Sequence, residues 1–183
     1  GVSIAEIEQV RGEAECLHSP AAVAAALDRM AALLTERLHE ANPLLLALMT
    51  GGIVTAGELL PRLSFPLQLD YIHATRYQEQ THGGEIEWRA LPKTSVQDRH
   101  VLLVDDILDE GNTLEAVSTW CREQGAASVL CAVLVDKPSP RRRPGMRADI
   151  VGLNVPVRYV FGRGMDYKGY LRNAAGIYAV KGL

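Results

Sequence analysis

The feature that most constrains this chain is the run Val101-Leu102-Leu103-Val104, followed without a break by Asp105-Asp106-Ile107-Leu108-Asp109-Glu110-Gly111-Asn112-Thr113. Four consecutive apolar residues, two of them β-branched, suit a strand buried on both faces, as inside a parallel sheet. Carboxylates stand where that strand is expected to end. After Thr113 the period changes: Leu114, Val117, Trp120 and Cys121 share a helical face, and Gly125 follows as a stop. Strand, acidic turn and helix form the unit of an open α/β sheet, in which ligands collect at the carboxyl ends of strands.

The atoms of the turn define what it can hold. Backbone N–H groups at a helix start, with Gly111 to let the chain turn, make a seat for a phosphate dianion, and Thr113 adds a hydroxyl donor. Asp105 and Asp106 cannot bind that anion themselves. They suit sugar hydroxyls, or Mg²⁺ as outer ligands. A phosphorylated sugar with a metal satisfies both sets. Acidic residues gather at helix starts for dipole reasons alone, but three carboxylates and a Gly-Asn-Thr turn after a buried strand exceed that.

A second unit of the same kind precedes it: the apolar run Leu44–Met49, then Thr50-Gly51-Gly52, then a helical pattern from Ile53 to Leu60. The glycines permit close approach to a ligand, and the N–H groups of Thr50, Gly51 and Gly52 offer a further anion seat. Residues 3–15 read as a helix capped by Ser3. Ser19-Pro20 opens another that runs to about His39, with Val23, Leu27, Met30, Leu34 and Leu38 as its core stripe. Leu67–Ala74 and Glu85–Leu91 read as strands around a polar loop, Thr75 to Gly84, whose length points to function. Ser128–Val135 is a third buried strand, and Asp149–Leu153, Val157–Phe161 and Ile177–Val180 follow. Such alternation implies an α/β fold with a mainly parallel sheet flanked by helices.

Composition narrows the function. The chain has 183 residues, 48% hydrophobic and 22% charged, enough for one compact domain. A net charge of −3 argues against nucleic acid as a partner. The triplet Arg141-Arg142-Arg143 lies among Pro138, Pro140, Pro144 and Gly145 and reads as an exposed loop of solvated charge. No stretch has the apolar length of a membrane span, and the start carries Glu6, Glu8 and Glu13, unlike a secretory leader. Of the three cysteines, Cys121 and Cys131 fall in apolar patterns and read as small buried hydrophobes, which fits a reducing, cytoplasmic setting.

Residues past Val135 bear on a second ligand. Lys137, just after a strand, is a donor that suits a carbonyl oxygen on a base and not an amino group, favouring a 6-oxopurine over adenine. Tyr159 offers a ring face for stacking, and the carbonyl of Val160 an acceptor for an exocyclic amine. Asp166 is a candidate Mg²⁺ ligand and Arg172 a candidate pyrophosphate partner.

The 101–113 stretch resembles the phosphoribosyl-pyrophosphate (PRPP) signature of type I phosphoribosyltransferases: apolar residues, two acids, two apolar residues, Asp, a small or polar residue, Gly, any residue, Thr. Glu110 departs from it, since the family usually has a small residue or Thr there. Thr50-Gly51-Gly52 resembles the family's pyrophosphate loop, with Thr50 where Lys or Arg is common. Lys137, Tyr159 and the Asp166-Tyr167-x-x-Tyr170-x-Arg172 arrangement are similar to the hypoxanthine-guanine phosphoribosyltransferases, and the likeness covers roughly residues 40 to 181.

The resemblance implies a single domain, 1–183. Residues 1–40 are its N-terminal helices. A core spans 41–136 with a flexible hairpin flap at 75–84, including Arg76 and Tyr77. A purine-binding region and C-terminal strand span 137–183, and the two terminal segments form a small hood. It implies a Mg²⁺-dependent transfer in purine salvage, PRPP and a purine base as partners, and a homo-oligomer, dimer or tetramer. Thr50, Gly51, Gly52, Asp105, Asp106, Asp109, Glu110, Gly111, Asn112, Thr113 and Arg172 would hold PRPP, and Lys137, Tyr159 and Val160 the base. Asp105, Asp106 and Asp166 would attend the metal, and Asp109 would be the general base. The rival readings are a xanthine-preferring enzyme, a non-catalytic nucleotide-sensing regulator on the same fold, and a response-regulator-like domain.

Overall fold

The computed structural model describes residues 1–77 and 85–183. In chain order the elements are α1 (Ile4–Glu13), β1 (Glu15–His18), α2 (Pro20–Leu38), β2 (Leu44–Leu48), α3 (Gly52–Leu59), β3 (Gln68–Arg76), β4 (Ile86–Ala90), β5 (His100–Leu108), α4 (Asn112–Glu123), β6 (Ser128–Asp136), β7 (Ile150–Asn154), β8 (Val160–Phe161) and β9 (Ile177–Ala179). The caps expected from sequence form: Ser3 accepts from the Glu6 N–H at 3.1 Å and Ser19 from the Ala22 N–H at 3.2 Å.

Six strands make the main sheet in the order β4-β3-β2-β5-β6-β7. All neighbours run parallel except the edge pair β3–β4. The central strands explain its two-layer cover. Leu45, Ala47, Leu102, Val104, Ala132 and Leu134 face α2 and α3, whereas Leu44, Leu46, Leu48, Val101, Leu103 and Val133 face α4. Strand periodicity thus splits one apolar run into two cores. Each fully buried Leu or Val contributes roughly 1.5–3 kcal/mol. Burial pushes the Cys121 thiol up to about 11, with the Cys131 sulfur as the next cause, and Cys131 is raised by burial too, so both behave as core hydrophobes.

A second, antiparallel sheet, β1-β9-β8, joins the two ends of the chain and forms the expected hood. The helical reading of residues 1–40 missed β1. Its partner is Ile177–Ala179, some 160 residues away, and no local pattern reports that pairing. α1 packs Ile7 into a small third core with Phe161, Tyr167, Leu171 and Val180. Among the described residues no helix is long and apolar enough to cross a membrane.

The central strand also runs further than expected. β5 includes Asp105 and Asp106, because β6 keeps pairing with it as far as Leu108↔Asp136. On the other side the pairing with β2 stops at Ala47↔Val104. The acidic pair therefore sits on a strand that is still held on one edge and newly freed on the other.

Candidate active site

The turn after β2 and the end of β5 meet at three glycines. A Cβ on Gly52 would lie 2.7 Å from the Val104 carbonyl oxygen, and one on Gly51 would run into the Asp106 carboxylate. Gly164, at φ +102, has its missing side chain pressed onto the Gly51 carbonyl. Backbone thus packs on backbone, and Asp106 is clamped beneath the turn at 7% exposure.

Asp105 Oδ1 accepts the Asp106 N–H at 2.8 Å. Burial, and then the neighbouring Asp106 charge, push the Asp105 carboxyl well above the usual range. Burial raises Asp106 as well, opposed by a hydrogen bond from the Asp105 side chain, the Ile107 N–H and the Arg172 charge. Burial and mutual repulsion thus disfavour two full negative charges on this pair, and a cation or a hydroxyl-bearing ligand would relieve that.

Beyond this pair the chain turns at Gly111, φ +86, and α4 begins at Asn112. The start of α4 carries no side-chain cap, so the loop's N–H groups stay available for an anion. The turn is held from behind. Arg142 donates to the carbonyls of Asp109 at 2.5 Å, Lys137 at 2.8 Å and Leu108 at 3.3 Å, and to Asp136 Oδ1 at 2.7 Å. The Arg143 N–H donates to the Glu110 carbonyl at 2.8 Å. Arg141 and Arg143 are exposed, as the solvated-charge reading expects, but that reading fails at Arg142, whose side chain is only 22% exposed and braces the turn.

The facing wall comes from the C-terminal part. Lys137 Nζ lies 3.0 Å from Asp109 Oδ2 and 3.3 Å from the Arg158 carbonyl. Tyr159 is 39% exposed and packs on Tyr167 with ring centroids 5.5 Å apart. The Val180 N–H donates to the Tyr159 carbonyl at 2.8 Å, so ladder alternation turns the backbone groups of Val160 to the free edge of β8. Asp166 Oδ2 accepts the Gly169 N–H at 2.8 Å and Oδ1 lies 3.7 Å from Arg172, which itself donates to the Gly164 carbonyl at 2.6 Å.

Between residues 162 and 172, six positions have positive φ, and Arg163, Lys168 and Leu171 among them are not glycine. At those three non-glycine positions the conformation costs on the order of 1–3 kcal/mol each, and such strain gathers at ligand clamps. Together these walls enclose an open cleft of about 1700 Å³ that also takes in Met49, Thr50, Arg76 and Tyr77.

The sequence comparison agrees with this geometry. Residues 14–166 match the family model of the phosphoribosyl transferase domain. The chain belongs to the phosphoribosyltransferase family. It is 32% identical over 157 residues to the hypoxanthine-guanine phosphoribosyltransferase of Streptococcus pneumoniae strain R6, covering 85% of this chain and 87% of that one. It is equally 32% identical over 152 residues to the hypoxanthine-guanine-xanthine phosphoribosyltransferase of Tritrichomonas foetus, covering 83% of each. The fold superposes on a Staphylococcus aureus hypoxanthine phosphoribosyltransferase with a TM-score of 0.87 at 22% identity, covering 99% of this chain and 97% of that one.

For a phosphoribosyltransferase of this family, α1 and Arg172 lie outside the matched span, yet both contribute to the cleft or its support. Thr50, Gly51, Asp105, Asp106, Asp109, Thr113, Lys137, Tyr159, Val160, Asp166 and Arg172 all line the one cleft. Gly52 lies behind it against Val104, and Glu110 and Asn112 line an adjoining smaller pocket. Of the residues expected in the flap, Arg76 and Tyr77 line the cleft, and residues 78–84 lie outside the described residues. Sequence reasoning missed Arg142 and Arg158. Arg158 ties Glu15 at 2.7 Å, the Leu183 carbonyl at 2.6 Å and the Val180 carbonyl at 3.2 Å into the C-terminal wall of the cleft. The one local signal for Arg142 is its place in a Pro-bounded loop directly after Lys137.

Proposed function

We propose that this phosphoribosyltransferase acts in purine salvage, moving the 5-phosphoribosyl group from PRPP to a 6-oxopurine, hypoxanthine and also guanine, and releasing pyrophosphate. The observation that carries the reading is the Lys137–Asp109 pair, 3.0 Å apart where the phosphate-side turn meets the base-side wall. One group suits a purine O6 and the other a proton on the adjacent ring nitrogen.

The chain's own residues divide the work. The N–H groups of Gly111–Thr113 and the Thr113 hydroxyl seat the 5-phosphate. Asp105 and Asp106 accept from the ribose hydroxyls and favour the positive charge that builds on the ring as the bond to pyrophosphate lengthens. Thr50, Gly51 and Arg172 meet the departing pyrophosphate. Lys137 fixes the base by O6, Tyr159 stacks on it, and the Val160 carbonyl accepts from the exocyclic amine that guanine carries. Asp109 takes the N7 proton, a step worth about 10²–10⁴-fold.

Mg²⁺ fits this donor set. Among the described residues no three His, Cys, Asp or Glu side chains converge into a metal cage. That suits an ion that binds through one or two carboxylates, substrate oxygens and retained waters. Asp166 would hold it directly, with Asp105 and Asp106 as outer partners. Held there, it would supply positive charge against the pyrophosphate oxygens. A homo-oligomer fits the exposed Leu69, Tyr71, Trp88 and Leu91 along the β3–β4 edge, and a cytoplasmic setting fits the buried, unpaired Cys121 and Cys131.

Steady-state turnover with PRPP, Mg²⁺ and each of hypoxanthine, guanine, xanthine and adenine tests the proposal. Turnover with the first two and none with adenine is expected. A preference for xanthine would move the assignment to the neighbouring enzyme class, and PRPP binding without turnover on any base would make the chain a sensor.

A further inference from the structure

Glu110 puts a carboxylate inside the turn that seats a phosphate dianion, and the fold shows how it is contained. Its Oε2 accepts from Arg76 Nη1 at 2.8 Å and from Asn112 Nδ2 at 2.9 Å. Arg76 is the last residue of β3, held across the ladder from Ile86. Its side chain lines both the large cleft and a smaller pocket of about 270 Å³, which Glu110, Asn112 and residues 141–144 complete.

We infer that Arg76 is the internal counter-charge of the phosphate turn: it neutralises Glu110 so that a sugar-phosphate dianion can dock beside a carboxylate. The inference rests on the PRPP reading and deepens it. The pair is part-buried, 36% and 29% exposed, so its charges are screened less than those of a surface pair. The other arginines of the pocket are committed elsewhere or too wet to substitute. Arg142 is bound to Asp136 and three carbonyls, and Arg143 to Glu115 at 3.0 Å. Arg141 stands 3.9 Å from Glu110 with its side chain 83% exposed, where an ion pair is worth little. Asn112 satisfies a lone pair of Glu110 but brings no charge. The departure from the family pattern at residue 110 and the arginine at residue 76 thus form one unit, and Arg76 acts on the phosphate through Glu110 as a positioning residue.

The unit predicts reversed dependence between two substitutions. Calorimetric titration of ribose 5-phosphate and of PRPP into the wild-type chain, Arg76→Ala, Glu110→Gln and the double variant reads it directly. Arg76→Ala alone is expected to weaken both ligands by about tenfold, between the small effect of an exposed pair and the large effect of a fully buried one. Adding Glu110→Gln to Arg76→Ala removes the stranded charge and is expected to recover most of that loss. Arg76→Lys, which keeps the charge and the fold, should lose much less than Arg76→Ala. An equal loss from Arg76→Ala with either residue at 110 overturns the inference, because Arg76 would then serve the phosphate directly. An Arg76→Ala variant that folds and binds like wild type overturns it too. If the wild-type chain binds ribose 5-phosphate but turns over no base, the transferase reading falls while the four affinities still decide the pair. If it binds neither ligand, both fall.

Discussion

On the side of the cleft proposed to seat the phosphate, the groups come from nine consecutive residues, Asp105–Thr113, laid on the best-paired strand of the sheet and the helix that follows it. On the side proposed to take the base, Lys137, Tyr159, Val160, Asp166 and Arg172 come from short segments scattered over residues 137–172, Val160 on β8, braced by Glu6, Glu15 and Arg158 and by backbone in unfavourable φ. The strand part of the first region is enclosed by its neighbours: Asp106 and Leu108 are buried. The second is held by ion pairs and tight turns at the rim, where solvent competes. If the site works as proposed, that division would let the base wall be tuned while the phosphate wall stays intact.

The largest effect is expected at the seam. Asp109→Ala should lower kcat at least about a hundredfold, the range for loss of a general base, while calorimetry shows ribose 5-phosphate still binding. Near-normal kcat would remove Asp109 as the base and leave it only the partner of Lys137. Next comes Lys137→Ala. Loss of a donor that is 18% exposed and already placed by two acceptors should raise the purine Kd by roughly tenfold or more, with PRPP affinity nearly intact. Equal weakening of both ligands would mean that the two walls are one mechanical unit, and the comparison above would break.

The same contrast governs what could be read from the chain alone. The phosphate side was legible because Val101–Thr113 carries strand, acids and turn in one stretch, each pointing to the same local structure. The hood's existence followed from resemblance, but β1 did not, since Glu15–His18 becomes a strand only against β9. Arg142 and Arg158 escaped for a related reason: most of their partners are main-chain carbonyls, which no residue pattern displays. Asp105 and Asp106 were expected where the strand ends and instead lie within it, because the length of β5 is set by β6.

A third test sharpens the buried side. The Asp105 carboxyl titrates well above its unfolded value, chiefly through burial, so the folded state binds a proton that the unfolded state has lost. Stability without ligand should therefore fall as pH rises from about 4, where an unfolded Asp titrates, into the raised range. Asp105→Asn keeps the shape and can donate permanently to Asp106. Melting curves in the presence of a chelator should show it little changed at the acid end and more stable than wild type near neutrality and above. A variant that is less stable at every pH would mean that the Asp105 charge is already compensated.

The smallest effect tests the braced side from furthest away. α1 lies outside the family match, yet Glu6 Oε2 accepts from the Tyr167 hydroxyl and from Lys168 Nζ, each at 3.1 Å. Lys168 and the Tyr167 hydroxyl hold the Glu6 carboxyl below its ordinary range even at the surface. Tyr167 in turn backs the ring of Tyr159. Removing the carboxylate leaves Ile7 in its small core, so the helix should stay docked while Tyr167 loses its hydroxyl anchor. Glu6→Ala is therefore expected to raise the purine KM by about two- to threefold, the scale of an exposed ion pair, with the PRPP KM unmoved. Glu6→Gln, which can still accept from Tyr167, should recover part of it. A purely structural role would shift both KM values together, and then the hood would support the whole cleft and not the base wall in particular.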